Sequence, residues 1–178
     1  MKVGLVGYGE IGRVHAEVWS KMPGAKLVAI SDQIEERRNQ AAAKYNCNVY
    51  DSAFGMLTAE PLDIVIVATP LPDHYQSALA ALSAGCHIIC EKPFTLLPIE
   101  ADSLIKLARE KNLTLAVNHQ NIFTEPIASI HEDVAEGRIG KLCLIEVWGK
   151  GRLAAYELME DAVHGLHLMR HFAGSEVT

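Results

Sequence analysis

The sequence has no run of lysine and arginine, and its 178 residues carry a formal net charge of −6. Phosphate-backbone binding needs clustered cations, so a nucleic-acid surface is not expected. Nor does any stretch approach the roughly 20 apolar residues of a membrane-spanning helix. The first apolar segment is only a few residues long and runs straight into a glycine turn, which does not fit a secretory signal. Four cysteines, Cys47, Cys86, Cys90 and Cys143, lack CxxC spacing. Cys86 and Cys90 share one side of a predicted strand and read as small core residues. Together these absences fit a soluble chain in a reducing, cytoplasmic setting.

What is present is enough apolar residue, 49% of the chain, to bury one good core and the beginning of a second. Apolar runs at 3–6, 26–31, 63–68, 86–90 and 113–117 alternate with helix-compatible stretches near 12–21, 33–44, 73–84 and 98–110. That order predicts a βαβ series. Near-continuous Val/Ile runs such as residues 63–68 suit a parallel sheet covered by helices on both faces. Gly24 and Gly85 stand where two of the helices should stop. No internal repeat, low-complexity tract or Pro/Gly/Ser linker divides this region.

The most informative segment is Gly7-Tyr8-Gly9-Glu10-Ile11-Gly12. It follows a predicted strand, opens a helix, and has Asp32 twenty residues past Gly12 at the end of the next apolar run, which is the context a dinucleotide site requires. Gly7 would permit the tight turn, Gly9 the approach of a pyrophosphate, and Gly12 close helix–strand packing. The helix N-terminus offers N–H groups and partial positive charge to phosphate. A carboxylate at Asp32 would accept from the adenosine ribose hydroxyls and repel a 2′-phosphate, so the pattern predicts NAD rather than NADP. Arg37 and Arg38 read as a solvated helix face with nearby acids. His15 and His87 are assigned to structure.

Lys92 falls at the carboxyl end of a predicted parallel strand, the edge where open α/β sheets bind ligands, and a lysine there can meet a nicotinamide. Four segments, Gly7 to His15, Ala68-Thr69-Pro70-Leu71-Pro72-Asp73-His74, Glu91-Lys92-Pro93 and Glu136-Gly137-Arg138-Ile139-Gly140, together resemble the Gfo/Idh/MocA oxidoreductase family. The resemblance implies a Rossmann domain binding NAD(P), then a larger α/β domain whose open sheet carries substrate contacts and often an oligomer interface. It implies sugars, cyclitols or related polyols as substrates. By the same resemblance Lys92, with Glu91 beside it, contacts cofactor and substrate; Thr69, Pro70 and His74 line the cofactor site; and Asn118 and Gln120 lie near the nicotinamide.

After about residue 118 the pattern changes, giving expected domains of 1–120 and 121–178. The second holds a helix near 126–136, a strand from Lys141 to Trp148 and a helix near 160–173. One strand cannot make a sheet, so this α+β region is expected to be the incomplete start of a substrate domain, completed by more chain or by a homo-oligomer. The family's Asp-x-Gly-x-His-x-x-Asp segment aligns with Glu160, Ala162, His164 and His167, with only the histidine at 164 kept. Asp161 could replace Glu160 with a shift of one, and Ile122 stands where relatives commonly carry arginine. These departures leave the substrate open.

The predicted chemistry is hydride transfer between nicotinamide and a carbinol carbon. His164 would act as base, Glu160 or Asp161 would orient it, and Lys92 would steady the developing alkoxide. His167 is the alternative base. His164, His167 and His171 also share a helical face, but no acid or cysteine stands at a recognisable metal-ligand spacing. A redox-neutral lyase or hydrolase using NAD, and a non-catalytic NAD sensor, remain alternatives on the same scaffold.

Overall fold

The computed structural model describes residues 1–147 and 157–174, and the side chains of all of these but 157–161. The chain separates into two compact units, one ending at Asn118 and one beginning at His119.

The first unit is a six-stranded, all-parallel sheet in the order β3-β2-β1-β4-β5-β6, the doubly wound Rossmann arrangement. Its strands are β1 (Lys2–Val6), β2 (Lys26–Ser31), β3 (Asn48–Tyr50), β4 (Ile64–Val67), β5 (His87–Cys90) and β6 (Leu115–Val117). Helices α1 (Glu10–Lys21), α2 (Glu35–Tyr45), α3 (Ala53–Ala59), α4 (His74–Ser83) and α5 (Pro98–Glu110) make the crossovers. Side chains alternate across each strand, so Val65 and Val67 join one core with Met56, Leu82 and Leu104, while Ile66 joins the other with Leu5, Trp19 and Ile30. Each fully buried Val, Leu or Ile contributes on the order of 1.5–3 kcal/mol. Cys86 and Cys90 are buried in the first of these cores.

The register aligns the carboxyl ends of the strands. Val6 pairs with Ser31 and with Val67, Val67 with Cys90, and Cys90 with Val117. Pairing continues one residue further: Gly7 N–H donates to Ser31 C=O at 2.8 Å, Ala68 N–H to Val6 C=O at 2.8 Å, Glu91 N–H to Val67 C=O at 2.9 Å and Asn118 N–H to Cys90 C=O at 2.8 Å. Gly7, Asp32, Ala68, Glu91 and Asn118 therefore stand in one row at the sheet's upper edge. The strand order reverses between β1 and β4, where ligands of open α/β sheets bind.

The second unit contains a short 3-10 turn (Gln120–Phe123), α6 (Glu125–Ala135) and α7 (Glu157–Ala173). The expected strand from Lys141 is corrected here: Lys141–Val147 enters no sheet among the described residues, and Trp148 lies outside them. An apolar run becomes a strand only by pairing, and the described chain supplies it with no partner strand.

Candidate active site

At the switch point the three glycines do different work. Gly7 has φ +91°, and a Cβ there would lie 2.5 Å from the Ala68 carbonyl oxygen, so only glycine fits the turn. A Cβ at Gly12 would collide with the Gly7 carbonyl. Gly9 differs: its φ is −73° and a Cβ would meet nothing nearer than the Arg37 guanidinium at 3.8 Å. Nothing in the fold demands glycine at this position. Helical bonding begins with Arg13 N–H to Gly9 C=O at 3.0 Å, which leaves the first-turn N–H groups of Glu10, Ile11 and Gly12 directed out of the end of α1. The Glu10 and Ile11 side chains are exposed on that turn.

A cleft of about 360 Å³ opens beside this loop, lined among others by Gly7, Ser31, Asp32, Arg37, Ser52, Thr69 and Pro70. Asp32 is nearly buried; one oxygen accepts from Tyr8 N–H at 2.7 Å and the other from Ile34 N–H at 2.8 Å. These bonds hold the carboxylate at the end of β2. The hydroxyls of Ser31 and Thr69 are buried without a hydrogen-bond partner, and both residues line the cleft. A buried, unpaired hydroxyl costs about 1–3 kcal/mol, a cost that a polar ligand in the cleft would relieve. The open face at Gly9, the unpaired hydroxyls and the carboxylate at the end of β2 are compatible with a dinucleotide.

Several side chains are not where the sequence places them. The Tyr8 ring is buried in the core, edge-on to Tyr45 at 6.3 Å, so this residue serves the site through its backbone N–H alone. His74 is buried too, with Nδ1 2.8 Å from the Pro93 carbonyl oxygen and Nε2 2.8 Å from that of Thr69. It ties two loops together rather than lining the cleft. Arg37 is no solvated bystander: its guanidinium lies 3.5 Å from Asp32 and lines the cleft. Arg38 donates to the carbonyls of Asp32 and Gln33 at 2.8 and 2.9 Å, which fixes the β2–α2 turn. Sequence reading missed Ser31 and Ser52; Ser31 could have been found as the last residue of a β2 run ending at the ligand edge.

Glu91 is the buried centre of the opposite half of the edge. Its Oε1 is 2.7 Å from His15 Nε2 and accepts from Asn118 Nδ2 at 2.6 Å, while Oε2 accepts from Lys92 N–H at 3.2 Å. Burial would push this carboxyl up, but the bonds from His15, Asn118 and Lys92 outweigh it and hold it below the ordinary glutamate value. Lys92 itself is half-buried, between Glu91 and the cis Lys92–Pro93 peptide.

The Gfo/Idh/MocA family model, described as an oxidoreductase family with an NAD-binding Rossmann fold, matches residues 1–119. The chain belongs to the Gfo/Idh/MocA oxidoreductase family. Among relatives of this family member, UDP-N-acetylglucosamine 3-dehydrogenase of Acidithiobacillus ferrooxidans is 37% identical over 119 residues, which is 67% of this chain and 37% of that enzyme. Myo-inositol 2-dehydrogenase of Thermotoga maritima is 25% identical over 99% of this chain and 56% of its own length. In fold, the chain superposes on apo scyllo-inositol dehydrogenase from Lactobacillus casei with a TM-score of 0.92, 23% identity, and coverage of 99% of this chain and 56% of that one. This Gfo/Idh/MocA chain thus spans about a third to just over half of the curated relatives it matches. Its family makes NAD the cofactor of the Rossmann unit.

In the second unit, Gln120 is exposed on the 3-10 turn and His164 is half-buried on α7; Glu160 lies on the same helix, its side chain outside the described residues. The histidine stripe forms stacked pairs: His167 lies on His119 at 3.9 Å between ring centroids, and His171 on His131 at 4.0 Å. Among the described residues no group of three or more His, Cys, Asp or Glu is placed to hold a metal.

Burial and then Arg170 hold His167 below the ordinary imidazole value; burial, His131 and His167 do the same to His171. The unfolded chain therefore binds more protons once pH drops below about 6.5, and folded stability falls with pH in that window. Amide exchange in α6 and α7, corrected for its intrinsic rate, is expected to be faster at about pH 5.5 than at about pH 7.5. Equal protection at both would contradict the burial of these two imidazoles beside positive groups.

Proposed function

We propose that this chain serves hydride transfer between the nicotinamide of NAD and a carbinol carbon of a sugar, cyclitol or related polyol. The observation that carries the reading is Gly9, where the fold itself does not require glycine while close approach of a pyrophosphate would. The substrate class is supported by relatives named as a UDP-N-acetylglucosamine 3-dehydrogenase and a myo-inositol 2-dehydrogenase.

Bound NAD would supply the hydride acceptor. The chain's own groups would do the rest. Gly7, Gly9 and the first-turn N–H groups of α1 would seat the pyrophosphate, and Asp32, Ser31 and Thr69 would take the hydroxyl-rich half. Lys92, with its backbone fixed by Glu91, would offer its ammonium to the oxygen that becomes negative as the C–H bond breaks. His164 would take the hydroxyl proton, with Glu160 or Asp161 orienting its ring. Asn118 would serve the reactive end through Glu91, its amide being committed there. A cytoplasmic setting fits this cofactor. No described helix is long and apolar enough to cross a membrane. Completion of the second unit's apolar surface by further chain or by a homo-oligomer fits the exposure of Leu144 and Leu166.

The cofactor preference is testable. Asp32 would place a carboxylate where the 2′-phosphate of NADPH must go, so NADH is expected to bind at least roughly tenfold tighter than NADPH, the effect of about 1.4 kcal/mol of repulsion. Fluorescence titration of both decides it. NADPH binding as tight as NADH would mean that Arg37, 3.5 Å from Asp32, neutralises the carboxylate and recruits the 2′-phosphate.

A further inference from the structure

Glu91, Lys92 and Pro93 are clamped from both sides. On one side His74 bridges the carbonyls of Thr69 and Pro93 at 2.8 Å each. On the other, the Glu91 carboxylate accepts from Asn118 Nδ2 at 2.6 Å, lies 2.7 Å from His15 Nε2, and reaches back to Lys92 N–H at 3.2 Å. His15 sits on α1 three residues past Gly12, so it connects the pyrophosphate helix to the lysine loop. Glu91 is only 7% exposed and His15's side chain 13% exposed. A buried carboxylate that loses a donor must be resolvated or reoriented. Because its second oxygen holds the Lys92 backbone, that reorientation would be passed directly to the lysine.

We infer that His15 is a positioning residue for Lys92, acting through the buried Glu91 carboxylate. This rests on the reading of Lys92 as a group facing the nicotinamide. Through His15 the pyrophosphate-binding helix also sets the backbone from which the lysine reaches the reactive half of the cofactor. The adenosine half, held at Asp32, does not depend on it. The role therefore differs from general stabilisation, which would affect both halves alike.

The test compares two probes, NADH and ADP-ribose, which lacks the nicotinamide. His15→Leu is expected to weaken NADH binding roughly tenfold, the scale of one charge-assisted hydrogen bond, and to change ADP-ribose binding by less than about twofold. His15→Gln, whose amide nitrogen can take the place of Nε2, should restore NADH binding. His15→Leu combined with Lys92→Ala should bind NADH no more weakly than Lys92→Ala alone. Equal loss of both probes in His15→Leu, no loss of either, no rescue by glutamine, or additive losses would each overturn the inference. If His15→Leu does not fold, His15→Asn, whose amide stops short of Glu91, replaces it in the comparison with glutamine.

Failure of the underlying reading is separately visible. If Lys92→Ala itself shows no selective loss of NADH over ADP-ribose, Lys92 does not face the nicotinamide. The positioning role is then decided by amide exchange at Glu91 and Lys92 in the unliganded protein. Faster exchange in His15→Leu than in His15→Gln supports it, and equal exchange overturns it.

Discussion

Gly9→Ala is expected to leave the protein folded and to remove most of its affinity for NADH. The backbone at this position has φ −73°, which any residue adopts, and a Cβ would meet only the end of the flexible Arg37 side chain at 3.8 Å. Forcing a methyl group into a closely fitted contact costs about 1–3 kcal/mol, so affinity should fall roughly 10- to 100-fold. The thermal midpoint should move little. Gly12→Ala makes the contrast, because its Cβ collides with the Gly7 carbonyl inside the protein; it should lower stability as well as affinity. Calorimetric titration beside a melting curve separates the two. Gly9→Ala that binds NADH normally would place the dinucleotide elsewhere.

Lys92→Ala and His164→Ala should each lower turnover by about 10²- to 10⁴-fold in the active form of the protein, the range for losing a general acid–base or electrostatic contribution. The effect should fall mainly on kcat. Asp32 and the glycine loop would still hold the adenosine half, so NAD binding should change much less. Steady-state kinetics with a panel of inositols and glycosides would show it. Near-normal kcat in His164→Ala at every pH would move the base to His167, whose ring packs against His119. In that event His119→Ala should also change the pH profile.

Much of the Rossmann unit was legible because its strands announce themselves. The runs 3–6, 26–31, 63–68 and 86–90 are almost wholly apolar, as a parallel sheet buried on both faces requires, and β1, β2, β4 and β5 follow them. The three-residue β3 (Asn48–Tyr50) and the seven-residue α3 (Ala53–Ala59) were not read; segments this short carry too little periodicity to stand out. Glycine roles were legible from spacing, since each follows from backbone geometry. Side-chain roles were less so. Tyr8, His74 and Arg37 are decided by direction: one ring turns into the core, one bridges two carbonyls, and one guanidinium folds back toward Asp32. The His15–Glu91–Asn118 contact joins residues 76 and 27 positions apart, which no local pattern encodes. The segment from Lys141 failed for a different reason, because a strand depends on a partner that a one-dimensional pattern cannot supply.

In the proposed arrangement a dinucleotide lies across the carboxyl edge of the sheet, with its adenosine half at Asp32 and its nicotinamide half at Lys92. Amide chemical-shift mapping with NADH tests it most directly. Saturable changes are expected, concentrated at residues 7–13, 31–34, 69–70 and 91–93, and ADP-ribose should reproduce all but those at 91–93. Changes centred elsewhere, or a 91–93 segment that responds equally to ADP-ribose, would contradict the placement.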